Sequence, residues 1–234
     1  MGPAGGRVAR GGQARADHLL RRGLDRLGIR PTLEQREALA FYRSELLRWA
    51  ARVNLTGFRS EETIVREGIL RSLSYRAAFE PAPGLSAVDI GSGAGLPGLV
   101  LKICFPEIDM LLVEAARRRV TFMRHVIRQL GLTGVRCLQS RAEQLHDATE
   151  HRGSYGLAFA RAVGPLPEVV ELAAPLLAPG GRLIVLLGQE TARSLRGLGP
   201  RLAALGMRAA VVQSPAIDEG APPTQLLVLE RPLR

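Results

Sequence analysis

Val88-Asp89-Ile90-Gly91-Ser92-Gly93-Ala94-Gly95-Leu96-Pro97-Gly98 decides how the rest of this 234-residue chain is read. It follows the apolar run Ala87–Ile90 and opens a helical stretch, Pro97–Phe105, with Pro97 suited to a first helical turn. Glycines at this turn let the backbone bend sharply and come close to a ligand. In open α/β sheets, ligands bind at the carboxyl ends of the strands, near the point where strand order reverses. The stretch therefore predicts a strand–loop–helix unit with a binding site on the loop. Gly93-x-Gly95-x-x-Gly98 fits a dinucleotide fingerprint, a weak signal by itself. An acidic residue should then end the next strand and reach a ribose, and Glu114 stands there.

Outward from the loop, short apolar runs alternate with helical stretches. Strands are expected at Ala87–Ile90, Met110–Glu114, Val135–Gln139, Leu157–Ala162, Arg182–Leu187, Met207–Gln213 and Gln225–Glu230. Helices are expected at Ala116–Gly131, near Arg141–His146, at Pro165–Leu177 and at Thr191–Leu205. This alternation predicts a seven-stranded, mostly parallel sheet covered on both faces. The last two strands have no helix between them, so one should run antiparallel to its neighbour. Before Glu80-Pro81-Ala82-Pro83-Gly84, a linker signal, the pattern is helical. Asp17–Leu27 has leucines on one face. Thr32 and Gln35 form a capping box for a helix carrying Leu39, Tyr42, Leu46 and Val53. Ser60 caps another helix, expected to reach Phe79 with a break at Gly68. The expected layout is a mobile tail over residues 1–16, a helical cap over 17–80 and a ligand-binding domain over 81–234.

Composition narrows the class. Lys+Arg total 32 and Asp+Glu 22, a net charge of +10 that points to an anionic partner. Residues 1–80 hold +6 of that charge, and Arg117-Arg118-Arg119 with Arg124 and Arg128 forms a second cluster. Two cysteines, Cys104 and Cys137, exclude a disulfide framework and a Cys-rich zinc module, and no metal site is expected. Both thiols read as packing groups. His125 and His146 read as solvated, and Trp49 as packing. No apolar run is long enough to span a membrane, and the first residues lack a secretory pattern. A cytoplasmic monomer is expected.

Asp89-x-Gly91-x-Gly93-x-Gly95 resembles motif I of class I S-adenosylmethionine (SAM) methyltransferases. The leading helical segment, the antiparallel closing strands and Asp89 just before the loop favour SAM over NAD. SAM has no pyrophosphate to seat on a helix N-terminus. The longer pattern resembles the RsmG (GidB) family, bacterial 16S ribosomal RNA guanine-N7 methyltransferases, from about Leu46 to Gln189. It rests on Asn54-Leu55-Thr56, on the loop through its Leu96-Pro97-Gly98 extension, and on Glu114 with Arg118-Arg119-Val120 and Phe122. Ser140-Arg141-Ala142-Glu143 and Ala160-Arg161-Ala162 complete it.

The resemblance implies a class I, Rossmann-like methyltransferase fold and SAM contacts from Gly91, Leu96, Ala142, Glu143 and Arg161. To these the loop reading adds Asp89, Gly93, Gly95 and Glu114. Arg161 is the candidate for positioning at the methyl-transfer site, and Arg71, Arg118 and Arg119 are candidates for RNA contact. The implied partner is 16S ribosomal RNA or the small ribosomal subunit. The chain departs from the family at Gly68-Ile69-Leu70-Arg71-Ser72-Leu73, where His-x-x-Asp-Ser-Leu is usual. It departs again at Leu187, where lysine is common before the glycine. These losses are expected on the RNA side rather than in the SAM pocket. Two alternatives stay open: a SAM- and RNA-binding ribosome-assembly factor with altered catalysis, and a small-molecule SAM methyltransferase.

Overall fold

The computed structural model describes residues 5–53 and 55–233, without the side chains of 5–11, Glu190 and Arg196. Asn54, which opens the Asn54-Leu55-Thr56 stretch, lies outside the described residues. Seven strands form one sheet in the order β3-β2-β1-β4-β5-β7-β6. They are β1 Ser86–Ile90, β2 Asp109–Glu114, β3 Val135–Gln139, β4 Tyr155–Ala160, β5 Leu177–Leu186, β6 Arg208–Ser214 and β7 Thr224–Glu230. The first five pair in parallel, and β7 inserts antiparallel between β5 and β6. Strand order reverses at β1, which lies between β2 and β4, so the glycine loop leaves the sheet at its switch point.

Alternation along the central strands divides the core. Ala87, Met110, Leu112, Leu157 and Phe159 face one side. Val88, Ile90, Leu111, Val113, Ala158 and Ala160 face the other, under α7 Leu166–Ala173. The first side packs α5 Gly98–Cys104, α6 Arg117–Gln129 and the N-terminal helices. Those helices are α1 Gly5–Arg26, α2 Leu33–Ala50, α3 Glu61–Thr63, a π-helical stretch Ile64–Leu70, α4 Arg71–Leu73 and a 3-10 turn Ser74–Ala78. Leu39, Tyr42, Ile69 and Tyr75 share one continuous buried core with the sheet residues. Residues 5–16, read as tail, are helical, and Ala16 is buried. The capping box at Thr32 and Gln35 forms with both bonds, 3.2 and 2.9 Å.

Three local readings change. Gly68 does not break its helix; it lies inside the π-helical stretch. The helix expected over Thr191–Leu205 is split into α8 Gln189–Arg196 and α9 Gly199–Ala204, because Pro200 cannot donate the bond that would continue α8. Strand β4 stops at Ala160, and Ala162 turns away with φ +54°.

His125 is not solvated. Its Nε2 lies 2.8 Å from Glu45 Oε2 of α2, and its ring lies against Trp49. Burial opposes charge on Glu45, but bonds from Arg48 and His125 hold its carboxyl below the ordinary value. His146 Nε2 lies 2.9 Å from the Leu172 carbonyl. Trp49 packs edge-on to Phe122, as expected.

Candidate cofactor and substrate site

The loop after β1 is held from below. Ser92 N donates to Val113 O of β2 at 2.9 Å, and Gly95 N and Leu96 N return to Ser92 O. Asp89 is fully buried, and its Oδ2 accepts from Gly98 N at 2.9 Å, so it caps the start of α5. Its Oδ1 has no partner among the described residues. Burial raises the carboxyl to about 7, against the bonds from Gly98 and Ser92 and the charge of Arg161.

The four glycines of the loop are not equivalent. A Cβ on Gly91 would meet Val163 at 2.8 Å, one on Gly95 would meet Leu99 at 2.5 Å, and one on Gly98 would meet Leu112 at 2.4 Å. Packing of the protein explains those three. Gly93 has φ +58° and no atom closer than 3.9 Å to a Cβ built there. Its missing side chain leaves open space above the loop.

Glu114 ends β2 and lies against this glycine. Its Oε2 accepts from Gly93 N at 2.9 Å, its Oε1 accepts from Ala116 N at 2.8 Å, and Arg119 lies 3.6 Å away. Two lone pairs remain on the carboxylate after the two backbone bonds. Ala142 and Glu143 lie on the 3-10 turn Ala142–His146 beyond β3. Arg161 follows β4 on the other side of β1. The sequence-selected residues thus come together along the carboxyl ends of β3, β2, β1 and β4.

Arg161 Nη2 donates to the Glu67 carbonyl at 2.5 Å, while Nη1 is buried without a partner. Burial lowers its pKa, with Tyr75 and Tyr42 opposing that shift. Beyond Arg161 a cleft of about 330 Å³ opens over the ends of β4 and β5, lined by Val163, Leu166, Val185, Gly188 and Gln189 among others. Val163 borders both this cleft and Gly91.

Two residues of the site were missed in the sequence. Tyr42 OH of α2 donates to Ala94 O in the glycine loop at 2.9 Å, and Tyr75 OH donates to Ala160 O at 3.4 Å. Tyr42 reads only as part of an apolar helix face and Tyr75 does not stand out; the signal available is that a buried tyrosine hydroxyl needs an acceptor. Position 68 also differs from expectation. A Cβ on Gly68 would lie 3.7 Å from Leu96 of the loop, and the neighbouring Glu67 holds Arg161 through its carbonyl and Arg71 through its carboxylate. The family departure there borders the glycine loop itself.

Burial disfavours the thiolate at both cysteines, pushing Cys104 up to about 12 and Cys137 to about 11. Among the described residues no helix is long and apolar enough to cross a membrane, and no group of His, Cys, Asp and Glu is placed to hold a metal.

The charges of the two arginine-rich regions differ. In the N-terminal helices Arg15 pairs with Glu62, Arg22 with Glu219, Arg48 with Glu45, Arg66 with Asp218, Arg71 with Glu67 and Arg76 with Glu80. Arg43, 2% exposed, lies 2.7 Å from Asp17 and 3.3 Å from Glu61. The second distance pairs the charges without the alignment of a hydrogen bond. On α6, Arg118 is exposed and Arg119 half-buried.

Comparison with known proteins agrees with this geometry. A protein of Corynebacterium glutamicum superposes with a TM-score of 0.56 at 20% identity, over 85% of this chain and 91% of that one. A SAM-dependent O-methyltransferase of Thermotoga maritima superposes with a TM-score of 0.54 at 15% identity, over 70% of this chain and 65% of that one. These likenesses establish the class I methyltransferase fold. Proteins named ribosomal RNA small subunit methyltransferase G are closer in sequence. That of Rubrobacter xylanophilus is 38% identical over 92% of this chain and 83% of its own length. That of Geobacter sp. strain M21 is 35% identical over 82% and 86%. The family model described as rRNA small subunit methyltransferase G matches residues 35–218, and the chain belongs to that family, GidB.

Proposed function

We propose that this protein transfers the methyl group of SAM to N7 of a guanine in 16S ribosomal RNA. Family membership supports small-subunit ribosomal RNA methylation. The observation that carries the cofactor reading is the pair of buried, unpartnered polar atoms beside the loop, the carboxyl Oδ1 of Asp89 and the guanidinium Nη1 of Arg161. They fit the ammonium and carboxylate of the methionine end of SAM. The open space at Gly93 and the free lone pairs of Glu114 fit its ribose. Ala142 and Glu143 would flank the adenine. When bound, SAM supplies an electrophilic methyl on a sulfonium.

The protein's own part is positioning. Guanine N7 offers a lone pair and carries no proton, so no side chain need act as a base. Arg161 is held at the cleft by the Glu67 carbonyl and stays charged at neutral pH. There it orients the reacting groups, and aligning two reactants supplies most of the acceleration that such a displacement needs. The cleft beyond Arg161 has the size of a small-ligand site and would take the base. The reading carries with it a cytoplasmic monomer. Labelled SAM incubated with the protein and unmodified small-subunit RNA tests it. Label in the RNA is expected, and its absence beside an active control rejects the activity.

A further inference from the structure

Residues 115–142 contain seven arginines and no aspartate or glutamate. Arg117, Arg124 and Arg128 of α6 are all exposed. At 100° per residue they fall within one narrow stripe of the helix, with Thr121 between them. At 1.5 Å rise per residue the stripe is about 16 Å long. Among the described residues none of the three has a carboxylate partner, whereas seven arginines of the N-terminal helices do.

The stripe is tied to the site at one end and to the sheet edge along its length. Arg117 opens α6 directly after Ala116, whose N–H holds Glu114. Arg124 Nη2 donates to the carbonyl of Cys137 on β3, the edge strand, at 3.0 Å. That bond fixes one arginine over the edge and blunts it against strand addition.

We propose that the Arg117–Arg124–Arg128 stripe is a track for the phosphate backbone of the RNA substrate, leading away from the Glu114 end of the site. The proposal rests on the rRNA methyltransferase reading above. Its chemistry is charge complementarity with a polyanion. A membrane surface would need apolar side chains beside the arginines. Of the apolar residues of α6, Val120, Phe122, Met123 and Val126 are buried in the core and Ile127 packs half-buried against it. A protein partner would need an aromatic or aliphatic anchor, and no exposed large hydrophobic residue lies on α6.

The test compares two triple variants of the full chain for binding to an unmodified 16S RNA transcript across a salt series. Arg117→Gln/Arg124→Gln/Arg128→Gln should lose roughly two units of the slope of log K against log salt, at 0.7 to 0.9 per phosphate contact. Arg15→Gln/Arg22→Gln/Arg66→Gln removes the same charge from paired positions and should leave the slope nearly intact. Arg117→Gln/Arg128→Gln, which keeps the Arg124 bond to Cys137, should show the same direction if the triple variant folds poorly. Equal losses from the two surfaces, or an unchanged slope in the α6 variants, overturn the track while leaving the methyltransferase reading in place. Loss of binding to phosphatidylserine vesicles with RNA binding unchanged also overturns it. A wild-type protein that neither binds nor methylates the transcript rejects the underlying reading, and the track with it.

Discussion

The N-terminal helices and the α6 side of the molecule are both rich in arginine, yet they spend it differently. In the helices seven guanidinium groups are turned inward or sideways onto carboxylates, as Arg43 is on Asp17 and Arg66 on Asp218. Their tyrosines do the same for neutral groups, Tyr42 on Ala94 O and Tyr75 on Ala160 O. Around the strand ends and along α6, polar groups are left open: Asp89 Oδ1, Arg161 Nη1 and the exposed arginines of α6. One region holds the loops in place, and the other leaves groups unpartnered or exposed. Net charge counted along the chain puts the larger share, +6, in the first region. Pairing lowers that share, because among the described residues seven arginines of the first region sit on carboxylates while Arg117, Arg118, Arg124 and Arg128 of α6 do not, and a paired charge projects little field beyond its partner.

The contrast can be broken at three points. The largest effect is expected on the scaffold side. Arg43→Ala leaves Asp17 and Glu61 without their buried partner, and should destabilise the fold by about 3 kcal/mol, measured by denaturant unfolding. A loss under about 1 kcal/mol would place Arg43 among ordinary surface pairs. On the ligand side, Gly93→Val should lower SAM affinity by roughly 100-fold in calorimetry, since the side chain enters the open space over the loop. The positive φ adds ~1–2 kcal/mol of strain, so affinity must be read on protein shown to be folded. Normal affinity in a folded Gly93→Val protein contradicts the loop assignment. The smallest effect tests the join between the regions. Tyr42→Phe removes the donor to Ala94 O and should cost ~1–2 kcal/mol. It should raise KM for SAM several-fold while leaving kcat unchanged. Equal falls in kcat and kcat/KM would instead put Tyr42 in the transition state.

The parts of this arrangement that were legible in the sequence are those written in local spacing. The glycine loop, Glu114 at the end of the next strand, the Thr32–Gln35 capping box and the apolar runs of β1, β2 and β4 are set by residues a few positions apart. What escaped depends on partners far along the chain. Arg22 meets Glu219 and Tyr42 meets Ala94, and no periodicity announces either contact. The four loop glycines look alike in sequence, yet only the neighbours Val163, Leu99 and Leu112 separate three packing glycines from Gly93. Gly68 read as a helix break because glycine weakens helices; the core around Ile64 and Ile69 overrides that preference. His125 read as solvated because Glu45, its partner, lies 80 residues away.

The most direct measurement is the identity of the modified nucleoside. Small-subunit RNA methylated by this protein with labelled SAM would be digested to nucleosides and separated. Label in N7-methylguanosine, lost in Gly93→Val, is the expected result. Label in any other nucleoside, or none with an active control beside it, would contradict methyl transfer to guanine N7 from this loop.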